Sequence, residues 1–107
     1  MKTIYHVAPA GHNGNLESLH QQHGEDAYEI YAERWPEAGE LGQYHTRYVH
    51  CYETLEEAMN HPVEGKIYAI DVEALNDDFI EVEIDRLEFP HPMVRDEIPA
   101  KYITEVK

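Results

Sequence analysis

No long apolar run occurs anywhere in this chain; its aliphatic residues come in short runs bounded by turns. That pattern calls for a small folded domain of several strands, not a disordered chain or one spanning a membrane with an apolar helix. The clearest run is 79–85. There Ile80, Val82 and Ile84 point one way and Phe79, Glu81, Glu83 and Asp85 the other, the period of a strand with one apolar face. Thr3 to Ala8 reads as a first strand halted by Pro9, Arg47 to Tyr52 as another, and Lys66 to Val72 and Tyr102 to Val106 as two more. In the 47–52 run, Tyr48, His50 and Tyr52 share one face, and Val49 and Cys51 the other.

Helical signals are fewer. Asn15 to His23 is predicted as a short helix capped by Asn15 and stopped by Gly24. Thr54 opens a second with a capping box, since Glu57 follows three residues on, and it ends before Pro62. Ala27 to Trp35 fits either a strand or a helix. Phe89-Pro90-His91-Pro92 reads as a proline-rich loop. Strands outnumber helices and connections are short. The expectation is therefore one α+β domain over residues 1–107, with a small, mainly antiparallel sheet and two or three short helices.

Charge narrows the function. Asp and Glu total 22 against 8 Lys plus Arg, a formal charge of −14. Direct nucleic-acid binding is not expected, because it needs clustered cations to displace counterions. Three readings of the acidity stay open: solubility or a high-salt habitat, a nucleic-acid mimic or surface for a basic protein partner, and cation binding. Cys51 is the single cysteine, so neither an internal disulfide nor a thiolate zinc site can form within the chain. With no signal-peptide hydrophobic stretch, a cytoplasmic location is expected. His20 and His23 have ligand-compatible spacing, with His12 nearby, but no HExxH-type pattern accompanies them and no metal is expected.

Eight histidines are a surplus for this length. His6 and His50 sit in mid-strand and His91 between two prolines. Singly, each also fits a structural imidazole.

In order, Tyr5-His6, Tyr48-Val49-His50-Cys51, Ile70-Asp71 and Phe89-Pro90-His91 resemble the motifs of a family of small bacterial domains, domain of unknown function 952, with an ADP-ribosyltransferase-like fold. The likeness spans nearly the full length. Tyr52 stands where that family tends to carry a small hydroxyl residue, and Pro92-Met93 where it tends to have Tyr-Gly.

The resemblance implies a split sheet and a cleft for NAD or a related nucleotide, as ligand or substrate. It also implies an ADP-ribosyltransferase or NAD glycohydrolase activity. His6 would hold the nicotinamide-side ribose and His50 would pack on nicotinamide, with Tyr5, Tyr48 and Tyr52 around them. Glu83, with Glu88 in reserve, would steady the oxocarbenium-like charge as nicotinamide leaves. Glu81, Glu83 and Asp85 fit a solvated face equally well. His91 could line the cleft edge. Arg34 beside Trp35 reads either as a clamp for a substrate phosphate or as a guanidinium stacked on an indole. A non-catalytic acidic interaction protein (an inhibitor, antitoxin or nucleic-acid mimic) is the alternative.

Overall fold

The computed structural model describes residues 2–34, 36, 45–61, 65–85 and 91–106. Two three-stranded sheets form the frame, and all their pairings are antiparallel. In the first, β4 (Lys66–Asp71) lies between β1 (Thr3–Ala8) and β8 (Ile103–Glu105). In the second, β6 (His91–Arg95) lies between β3 (Tyr48–His50) and β5 (Val82–Asp85). They meet at one bridge, where Tyr5 N–H donates to the Tyr52 carbonyl at 2.9 Å and Tyr52 N–H donates back at 2.7 Å. A short ladder, β2 (Leu16–Glu17) on β7 (Glu97–Ile98), stands apart from both.

Register builds the core. Ile4 faces Ile70 across the first sheet, and Val49, Val94 and Val82 form a row across the second. Leu16 and Ile98 close the gap from the short ladder. Ile4, Ile70, Val94 and Ile98 are fully buried, each contributing roughly 1.5–3 kcal/mol of transfer free energy. Cys51 lies in the same core, and burial pushes its thiol well above the usual range, so it is an inert apolar filler.

The helices are α1 (Leu19–His23), α2 (Ala27–Arg34), α3 (Leu55–Met59) and α4 (Val72–Asp77). Four among the described residues is one more than the upper end of the two or three expected. The extra one is α4: the apolar run through Ile70 and Val72 reads as strand, but Asp71 ends it and caps a helix by accepting from Ala74 N–H at 3.1 Å. The 27–35 ambiguity resolves as helix over Ala27–Arg34. The Thr54 cap forms as expected, accepting from Glu57 N–H at 3.1 Å.

Three expected elements shift. Asn15 does not cap α1. Its side chain instead binds Ala100 N–H at 2.8 Å, Leu16 and Glu17 pair with β7, and Ser18 is the cap. The 79–85 strand starts only at Val82, because Phe79 is left-handed at φ 63°. The final strand begins at Ile103, with Tyr102 in a 3₁₀ turn.

His91 and Pro92, expected in a loop, lie in the central strand of the second sheet. Pro92 has no N–H to give, yet its carbonyl accepts from Cys51 N–H at 2.8 Å. It sits one residue past the end of β3, where a missing donor costs the ladder least.

Candidate functional site

His6 occupies the middle of β1 on the same face as Ile4 and Ala8, which are both buried. It is a polar residue on the inward face of a strand, and its surroundings fix its chemistry. Nδ1 lies 2.7 Å from the His50 carbonyl, and a carbonyl can only accept, so Nδ1 carries the proton. In the neutral ring Nε2 is then a bare acceptor, and no described residue bonds it. Burial holds the His6 pKa below the usual 6.5, against the opposing pull of the His50 carbonyl, and His12 and His61 push it further down. At neutral pH His6 is therefore an uncharged acceptor.

His6 lines an open cleft of about 340 Å³ with Ala8, Pro9, Gly11, His12 and Gln22 among its walls. The 9–15 loop that shapes it is tied down by side chains rather than by sheet. Tyr68 hydroxyl donates to His12 Nδ1 at 2.9 Å, and His12 Nε2–H donates to the Asn15 carbonyl at 2.8 Å. Lys66 Nζ donates to the His12 carbonyl at 2.9 Å and pairs with Glu105 at 3.6 Å. Tyr68 is opposite His6 in the register, and Lys66 is opposite Ala8, so β4 supplies the groups that hold the loop over β1. At the base of that wall Gly65 is indispensable: a Cβ there would sit 2.0 Å from the Ala8 carbonyl oxygen.

The His50 ring belongs to a second polar cluster. It is on the face of the second sheet opposite Val49 and Cys51, as the alternation predicts. His50 Nε2–H donates to the His45 carbonyl at 2.7 Å, which leaves Nδ1 of the neutral ring to accept from His91 Nε2–H at 2.8 Å. Tyr31 hydroxyl lies 2.8 Å from His45 Nδ1, so α2 caps the cluster. His6 and His50 are thus brought together, but through the His50 backbone and not ring to ring.

The other candidates distribute unevenly. Tyr5 forms the inter-sheet bridge through its backbone. Tyr48 is buried. Tyr52 hydroxyl bonds His61 Nδ1 at 2.7 Å; burial and the nearby Glu57 raise its pKa, and burial lowers that of His61. Glu83 shares a cross-sheet row with His50, with Met93 between them, so about two strand spacings, ~10 Å, separate their backbones. Arg34 is exposed at the end of α2. Trp35 and Glu88 lie outside the described residues, as do Phe89 and Pro90 of the late motif.

Sequence reasoning misses Lys66 and Tyr68 as the residues that hold the loop shaping the cleft, and takes His12 only as a metal neighbour. Their roles come from the β1–β4 register, which no local pattern states. Among the described residues no group of three or more His, Cys, Asp and Glu side chains is placed to hold a metal ion, and no helix is long and apolar enough to cross a membrane. Compared with protein-family models, curated proteins and solved structures, the chain shows no match in any of the three.

Proposed function

We propose that this chain is an ADP-ribosyltransferase-like domain that binds an NAD-type nucleotide in the cleft beside His6. One observation carries the reading: a neutral histidine on an inward strand face, locked in one tautomer with an Nε2 that no described residue bonds, is among the residues lining an open polar cleft. A ribose hydroxyl is a donor that suits it. The bridge between the sheets supports the reading, because it brings the His50 carbonyl to the His6 ring. The ordered resemblance of the Tyr5-His6 and Tyr48-Val49-His50-Cys51 segments supports it too. Cleavage of the nicotinamide–ribose bond would add a carboxylate beside the developing positive charge. Glu83 remains the candidate for that role.

Calorimetric titration with NAD⁺ separates the two histidines. His6→Ala removes the acceptor and should abolish binding with the fold intact. His50→Ala keeps the carbonyl that orients His6 and should only weaken it. Wild-type affinity in both variants would show that the cleft is not the nucleotide site.

A further inference from the structure

The turn after α4 contains a contradiction that the cleft does not explain. Asp78 ends the helix, Phe79 follows at φ 63°, and two bonds close the turn: Phe79 N–H to the Asn76 carbonyl at 3.0 Å and Ile80 N–H to the Leu75 carbonyl at 2.9 Å. These are the paired bonds of a Schellman motif, completed by the apolar Leu75 and Ile80. The left-handed position of that motif normally holds glycine, because a side chain there crowds the backbone. Here it holds a phenylalanine whose surface is 94% exposed. The residue is poorly suited to the backbone it adopts and gains little from burial, so neither consideration accounts for it.

We propose that Phe79 is the anchor of a docking surface for a basic protein partner, one that offers an apolar pocket with a cationic rim. The inference is independent of the nucleotide reading. Rigid exposed aromatics at turn apices have the character of interface anchors, since little entropy is lost when they enter a pocket. The rim around Phe79 is acidic: Asp77, Asp78 and Glu81 are exposed beside it. Lys101 engages Asp78 at 3.3 Å, and Tyr102 hydroxyl also donates to that carboxylate, which holds its pKa low. Asp77 and Glu81 make no ion pair with a described residue. A second copy of this chain fits poorly, because each copy carries a net charge of −14. An anionic membrane is repelled for the same reason.

The test places the photo-reactive residue p-benzoylphenylalanine at position 79 of the full chain and irradiates it in the cells that produce it. The adduct is identified and its protein purified for titration against wild type, Phe79→Gly and the double variant Asp77→Asn, Glu81→Gln. The expected partner is basic. Phe79→Gly should weaken binding at least about tenfold while its melting temperature does not fall, which excludes unfolding as the cause. The double variant should bind more slowly and with less salt dependence. No adduct, an adduct only with a second copy, an acidic partner, or unchanged affinity in Phe79→Gly would each overturn the proposal.

Discussion

His6 draws its character from two contacts that pull in opposite directions. Burial disfavours its cation and the His50 carbonyl favours it; burial prevails, so the folded-state pKa lies below 6.5. The His61 pKa is lowered as well, again by burial. A histidine with a depressed folded pKa binds its proton more weakly folded than unfolded. Its contribution to stability is therefore full above about pH 6.5 and is lost as pH falls through the folded value. Urea unfolding across that window should show stability declining with acid, and His6→Gln should flatten part of the slope. Ligand binding should follow the same direction. A protonated Nε2 no longer accepts, so NAD⁺ affinity should drop only as pH falls through the lowered folded-state value of His6, whereas a site acting mainly through cationic attraction to phosphates would tighten. Gly65 is the other residue with a sharp expectation. Gly65→Ala forces its Cβ against the Ala8 carbonyl, and should destabilise the domain by about 1–3 kcal/mol, readable as a lowered urea midpoint.

Among the elements, the turn closing α4 makes the most direct prediction. Phe79→Gly relieves a left-handed phenylalanine and should stabilise the fold by about 1 kcal/mol, or roughly 4–8 °C in melting temperature. A lower melting temperature would mean that the exposed ring contributes to folding after all. The same turn shows where local pattern stops being informative. Period-two alternation from Phe79 to Asp85 is real in the sequence, but the first residues are spent on the helix stop, leaving Val82–Asp85 as strand. β1, the core-facing Val49 and Cys51, and the Thr54 cap are legible because local chemistry and tertiary demand agree there. β6 is illegible, since Pro92 argues against a central strand and only the early end of β3 makes room for it. In the site, mid-strand His6 and His50 stand out from sequence. The ring that locks the 9–15 loop, His12, does not, because its partner Tyr68 is 56 residues away.

For the molecule as a whole, two features govern behaviour. The first is the seam between the sheets, which the structure closes by backbone bonds between Tyr5 and Tyr52 and by the His6–His50 contact. Loss of the His6 side chain should therefore loosen the seam as well as the cleft, with faster amide exchange at Tyr5 and Tyr52. The second is a charge of −14 on 107 residues. Self-repulsion at that density should make stability depend on salt, with the melting temperature climbing as the Debye length shrinks from about 30 Å at 0.01 M to about 8 Å at 0.15 M. A flat response would mean that the carboxylates are too dispersed to destabilise the fold.

The central claim is that the cleft beside His6 takes an NAD-type nucleotide. An NMR titration of the intact domain with NAD⁺, following the histidine ring signals and free nicotinamide in the same spectra, tests it most directly. The account predicts saturable shifts led by His6 and His12, weaker shifts at His50, and loss of the response as pH falls through the lowered folded-state value of His6. Released nicotinamide would add catalysis to binding. Histidine signals unmoved at millimolar NAD⁺ would contradict the claim.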